Sequence, residues 1–194
     1  NSMKTKRPLV EARRVADALI AELAPLCERI EVAGSIRRGK AEVGDIELMA
    51  IPQPVTDLFG EPLERTEVDW WLDDQVPQGD ISKNGPKYKQ FMWLDFQVDL
   101  FLADPRNWGL IFMLRTGPVE FSHAMVTLRT WGGYKPADIM VDGGRVLRRN
   151  VTVAVPEERD LFALWGLDYI EPEERDGIME DTVAFRAAFR AAQS

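Results

Sequence analysis

Cysteine is almost missing from this 194-residue chain, which has Cys27 and no other. An internal disulfide and a cysteine-ligated metal site are thereby excluded. The place of Cys27 among Leu23, Leu26 and Ile30 makes it a small buried hydrophobe. No apolar run reaches the roughly 18 to 20 residues that a helix needs to cross a bilayer, so no membrane is expected as a partner. Positive charge is the other shortage, with a formal net charge of -8 at pH 7. A protein that grips long nucleic acid through its phosphates carries a basic surface, because counterion release supplies most of the sequence-independent affinity. The shortage is uneven. From Asn150 to the end, ten acidic residues face four basic ones, whereas the first fifty residues hold nine basic and eight acidic. Contact with nucleic acid is therefore expected from the N-terminal half. Asn1-Ser2 ahead of Met3 read as a leftover of expression, no secretory apolar stretch follows, and a cytoplasmic setting is the expectation.

Against these shortages stands one dense stretch, Val32 to Ile51, VAGSIRRGKAEVGDIELMAI. β-Branched and apolar residues open it, Gly34-Ser35 breaks it, a basic segment follows, and Gly44-Asp45-Ile46-Glu47 leads into Leu-Met-Ala-Ile. The pattern predicts strand, anion-binding turn, strand. Side chains alternate across a strand, so Asp45, Glu47 and Met49 share one face while Ile46, Leu48 and Ala50 take the other. Two carboxylates side by side repel on a half-buried face unless a cation joins them, and hard divalent ions take oxygen ligands of this kind. Upstream, Gly34 permits a tight turn, Ser35 offers a hydroxyl and an amide to phosphate oxygens, and a short helix from Ile36 would favour anions at its start. Arg37 and Arg38 add fixed positive charge with bidentate geometry.

These residues resemble the signature of the nucleotidyltransferase superfamily: Gly-Ser, a spacer of about ten residues, then Asp-hydrophobic-Asp/Glu-hydrophobic. Here Gly34-Ser35 is followed by nine residues and then Asp45-Ile46-Glu47-Leu48. The block GSIRRGKAEVGDIE is similar to that of the family X polymerases, the DNA polymerase beta type. A second strand, FQVDLFL from Phe96 to Leu102, places Asp99 with Gln97 and Phe101, opposite Val98, Leu100 and Leu102. A carboxylate in so apolar a strand needs a partner, and beside the Asp45 strand it would complete a three-carboxylate site. The resemblance implies the same, since family X carries its third catalytic aspartate in such a Val-Asp-Leu context.

Elsewhere the chain reads more plainly. Pro8 to Ile30 predicts a core helix on the stripe Leu9, Ala12, Val15, Ala16, Leu19 and Leu23, with a kink or early stop at Pro25. Glu64 to Asp74 suits a second helix, and Gln75 to Pro86 reads as turns. Lys83, Lys87 and Lys89 around Tyr88 form a basic cluster, the best candidates for a nucleic-acid backbone. Arg106 to Arg115 and Val119 to Trp131 predict two helices joined by Thr116-Gly117-Pro118, and Ser122 follows. This turn partly resembles the Thr-Gly turn of family X thumbs, which flanks the sugar and base of the incoming nucleotide, although the aromatic pair ahead of it is missing. Gly117-Pro118 is expected to be cis, as the family's turn is, because proline lowers the cost of that form from about 3 to about 1 kcal/mol. His123, the single histidine, is read as a helix residue rather than a general base. From Asp138 a hairpin is expected about Asp142-Gly143-Gly144, then a helix opened by Pro156 and ended by Gly166, then an amphipathic helix over Asp181 to Ala192.

The expected fold class is α/β (α+β): a nucleotidyltransferase-type palm, residues 3–105, with a mixed sheet and flanking helices, and a small helical and hairpin thumb, residues 106–194. The family's DNA-gripping helix-hairpin-helix region has no counterpart in this sequence. The resemblance implies nucleotidyl transfer from a nucleoside triphosphate, most naturally to a DNA 3′-hydroxyl. It implies two Mg2+ or Mn2+ ions on Asp45, Glu47 and Asp99, and nucleotide contacts from Gly34, Ser35, Arg38, Gly44, Thr116, Gly117 and Ser122. Glu47 stands where family X usually has aspartate. With the acidity of the chain, that keeps two alternatives open: a transferase acting on RNA, protein or a small molecule, and a non-catalytic nucleotide-binding module. The oligomeric state is left open.

Overall fold

The computed structural model describes residues 5–180. The chain divides into two compact units: the first takes in the chain to Ile36 and Lys40–Ala103, the second Arg37–Gly39 and the chain from Asp104. The helix expected over Asp181 to Ala192 lies outside the described residues. Among the described residues no helix is long and apolar enough to cross a membrane.

In the first unit β1 (Arg7–Pro8) leads into α1 (Leu9–Leu23), whose predicted stripe Ala12, Val15, Ala16, Leu19 and Leu23 is buried. The helix does not continue to Ile30. Pro25 sits in a 3-10 turn over Ala24–Leu26, and Cys27–Val32 form β2. Proline both lacks the N–H and clashes with the preceding turn of an α-helix, so the remaining apolar residues pair as a strand instead. Cys27 is buried as expected, and burial pushes its thiol up to about 11. Then come α2 (Gly34–Arg37), β3 (Glu42–Val43), which pairs with β1, and β4 (Ile46–Pro52). The helix α3 (Glu67–Gln75) opens on a reciprocal cap between Thr66 and Asp69. Last are β5 (Ile81–Asn84), in a segment predicted to be all turn, β6 (Tyr88–Trp93) and β7 (Phe96–Leu102).

The sheet runs β2-β4-β7-β6-β5, with β4 and β7 parallel and the other pairs antiparallel. It is the mixed sheet that the sequence predicts. One face packs its apolar alternates Ile46, Leu48, Ala50, Val98, Leu100 and Phe91 against Leu19, Leu23, Val68 and Leu72 of α1 and α3. The other face carries Glu47, Asp99, Tyr88 and Gln90 by the same alternation.

That alternation corrects the sequence on Lys89. Placed between Tyr88 and Gln90, it points to the helix-covered side and is only 1% exposed. Its ammonium donates to Asp69 Oδ1 at 2.5 Å, Asn84 Oδ1 at 2.7 Å and the Gly85 carbonyl at 3.3 Å. All three of its donors are satisfied inside the unit, so Lys89 is a structural pin and no contact for nucleic acid. Lys83 and Lys87 remain exposed. Burial pushes the Asp69 carboxyl up, but Lys89 and the Thr66 amide and hydroxyl outweigh it and hold the group below its ordinary value.

The second unit is built on α4 (Trp108–Thr116), α5 (Val119–Val126), the antiparallel strands β8 (Ile139–Asp142), β9 (Arg145–Arg148) and β10 (Val151–Val153), then α6 (Glu158–Trp165) and α7 (Arg175–Glu180). The β8–β9 turn has Gly143 and Gly144 at φ 55° and 77°, as a primed two-residue turn requires. The strand β10 has no counterpart in the sequence expectations. The helix predicted to reach Trp131 ends at Val126, with a separate 3-10 turn at Arg129–Trp131. Gly166 closes α6 at φ 68°, as predicted. The core joins Leu110, Met113, Phe121, Met125, Phe162 and Trp165.

Two outcomes follow from the first unit. Lys89→Met is expected to lower stability by about 3 kcal/mol, because it leaves Asp69 with its charge and no cation; urea denaturation of the two proteins measures this. Cys27 is expected to resist a thiol reagent at pH 8 in the folded protein and to react at once in denaturant, since burial keeps it protonated.

Candidate active site

The parallel pairing of β4 with β7 sets Glu47 directly opposite Asp99. Neighbouring strands lie about 4.8 Å apart, so the two carboxylates emerge side by side from one face. Asp45 stands immediately before β4, half-buried as Glu47 is, and Gly44 precedes it. The end of β2 is tied to this edge by the Ala33 amide, which donates to the Glu47 carbonyl at 2.8 Å. Gly34 then turns at φ 58°, and a Cβ added there would lie 1.6 Å from Glu47 Oε2. The Glu47 carboxylate rests on the bare backbone of Gly34, one residue before Ser35. Gly34, Ser35, Gly44, Asp45, Glu47 and Asp99, all in the first unit, are thus held by three adjoining pieces of chain.

Asp99 is buried and makes three hydrogen bonds. Oδ1 accepts from the Tyr88 hydroxyl at 2.5 Å and from Gln90 Nε2 at 2.8 Å, and Oδ2 accepts from Gln97 Nε2 at 2.9 Å. Tyr88 and Gln90 are absent from the residues singled out by sequence. The available signal was their alternation about Lys89, which places them on the carboxylate side of β6.

The remaining sequence-predicted residues, Arg38, Thr116, Gly117 and Ser122, belong to the second unit. Arg38 donates to Asp176 at 3.0 Å and to the Thr116 carbonyl at 2.5 Å. Arg37 donates to Thr116 Oγ1 and to Glu158, each at 2.6 Å, and lies 3.6 Å over the Phe112 ring. Thr116 is fully buried, and the Ser122 hydroxyl donates to the Leu114 carbonyl at 2.9 Å. The side-chain oxygens of Thr116 and Ser122 therefore face the interior of the unit. The Gly117-Pro118 bond is cis. Glu158, on which Arg37, Arg175 and Tyr169 converge, is the hub that sequence did not reveal. Burial pushes its carboxyl up, and the two guanidinium groups more than reverse this and hold it below its ordinary value.

No protein-family model matches the sequence. DNA polymerase lambda of Rattus norvegicus is 26% identical over 161 residues, 74% of this chain and 28% of that protein. The chain thus spans little more than a quarter of that relative's length. Among solved structures, a crystal structure of Leishmania infantum polymerase beta, a ternary P/T complex, matches with a TM-score of 0.67 at 18% identity, covering 89% of this chain and 77% of that one. The chain is family X polymerase-like in sequence and fold. The sheet with its flanking helices is the polymerase beta-like fold that the Gly34–Glu47 block implies.

Divalent ions are used across this family, and the donors here suit them in kind: three carboxylates, two of them register neighbours on one sheet face. They are not gathered around a point. Among the described residues no group of three acidic, histidine or cysteine side chains is placed to hold a metal ion. Glu47 rests against Gly34, and Asp99 is held by β6.

Glu158→Gln is expected to cost about 3 kcal/mol by leaving the buried Arg175 and the half-buried Arg37 guanidinium groups without their anion. The wild-type contribution is fully present above the ordinary glutamate value of about 4.3. It is lost as the pH falls through the lower folded-state value. Chemical melts from pH 2.5 to 7 should show this acid loss in wild type and a flatter profile in the variant.

Proposed function

We propose that the chain is a metal-dependent nucleotidyltransferase that passes a nucleoside monophosphate from a triphosphate to a DNA 3′-hydroxyl, breaking the α–β phosphate bond and releasing pyrophosphate. The observation that carries this is the in-register pair Glu47 and Asp99 beside the Gly34-Ser35 turn, in a polymerase beta-like fold. Asp45, Glu47 and Asp99 would hold Mg2+ or Mn2+, two ions in this family's chemistry, which supply charge neutralisation to the phosphates and lower the pKa of the attacking hydroxyl. The proton of that hydroxyl would pass to bulk water, since the one open position of Asp99 goes to the metal. Ser35 and the amides about Gly34 and Gly44 hold the triphosphate tail. Arg38, Thr116 and Ser122 serve by shaping the Gly117 turn, since their polar groups bond within their own unit. Lys83 and Lys87 would give a weak contact with the primer backbone, and the protein would work in the cytoplasm.

A second reading, a transferase acting on a non-DNA acceptor, is favoured by the net charge of -8, which gives weak purchase on a polyanion. One experiment separates the two. Primer extension is run with Mg2+ or Mn2+, each deoxy- and ribonucleoside triphosphate, and templated, gapped and single-stranded primers. Growth is expected, falling at least about a hundredfold in Asp99→Ala, beyond the loss typical of a supporting residue. Absence of growth from protein that binds triphosphate in a metal-dependent way would transfer the reading to another acceptor. Absence of any metal-dependent binding would leave only a non-catalytic module.

A further inference from the structure

We infer that Asp99 has a single open acceptor position, on Oδ2, and that Tyr88 and Gln90 are positioning residues that hold it there. This rests on the nucleotidyltransferase reading and names residues that the reading does not require. A carboxylate oxygen offers two in-plane lone pairs, four for the group. Oδ1 has both filled, by the Tyr88 hydroxyl at 2.5 Å and Gln90 Nε2 at 2.8 Å. Oδ2 has one filled, by Gln97 Nε2 at 2.9 Å. One position is left for one cation or one hydroxyl.

The two donors on Oδ1 are themselves locked. Gln90 is the strand neighbour of Asp99 and Tyr88 that of Phe101, so both come from the adjacent antiparallel strand. The Tyr88 ring stacks on Phe101 at 5.0 Å and 13°. Its hydroxyl accepts from Gln90 Nε2 at 2.9 Å while donating to Asp99. Gln90 thus gives its two amide hydrogens to Tyr88 and Asp99, and Tyr88 gives its one to Asp99. The triangle closes with no donor left over. It fixes the carboxylate plane and keeps Oδ1 occupied, so a cation would meet Asp99 at Oδ2.

The test uses the full chain and Mn2+ as probe. The paramagnetic resonance signal of free Mn2+ is followed during titration, with and without a non-hydrolysable deoxynucleoside triphosphate, for wild type, Tyr88→Phe, Gln90→Leu and Asp99→Ala. Tyr88→Phe keeps the ring on Phe101 and removes only the hydroxyl, so it carries the test even if Gln90→Leu does not fold. Each positioning variant is expected to weaken Mn2+ binding by about tenfold or more while its circular dichroism spectrum remains that of the folded protein. In turnover, kcat is expected to fall while KM for the triphosphate holds. Wild-type Mn2+ affinity in both variants, with loss in Asp99→Ala, would overturn the positioning role and leave the transferase reading standing. Failure of the wild-type protein to bind Mn2+ would overturn both.

Discussion

The register between β4 and β7 is the constraint on which the rest of the first unit depends. Pairing Glu47 with Asp99 puts two anions on neighbouring strands, an arrangement that costs energy unless each carboxylate is satisfied separately or a cation joins them. For Asp99 the fold does the former, since β6 turns Tyr88 and Gln90 toward it. Gly34 gives up its side chain so that Glu47 can lie against the turn. A slip of one residue in the register would send Glu47 into the apolar layer under α1 and α3, where Ile46 and Leu48 now sit. Burial of that layer therefore fixes the polar face by exclusion.

Period two also explains the fate of Lys89. Lys89 lies on the apolar side of its strand and is neutralised there by Asp69. Arg37 and Arg38 are matched to Glu158 and Asp176, Arg7 to Glu11 and Arg29 to Glu31. Much of the positive charge counted in the N-terminal part of the chain is consequently held in internal or local pairs.

What sequence made legible was whatever depends on local spacing. The stripe of α1, the glycines of the β8–β9 turn, the face shared by Gln97, Asp99 and Phe101, and the Gly34–Glu47 block all follow from periodicity, turn chemistry or a contiguous motif. What it hid depends on partners far along the chain. Cys27 to Val32 fits a helical stripe as well as a strand until β4 is present to pair with it. Three lysines in a short span look alike until α3 covers one of them. The arginines of the anion turn look like phosphate ligands until Glu158 and Asp176, more than a hundred residues away, are placed beside them.

The second unit is discontinuous in sequence, since Arg37–Gly39 belong to it while the chain on either side belongs to the first. Glu158 takes one of its two cations from that three-residue excursion. A ribosome delivers Arg37 long before Glu158, so the anion hub is completed by the last third of the chain closing on an arginine made near its start. A piece beginning at Asp104 would carry the hub with Arg175 alone. Separating the two units by cutting the chain at their boundary would therefore leave a buried charge half-compensated, and their expression as independent modules is disfavoured by connectivity rather than by any want of core.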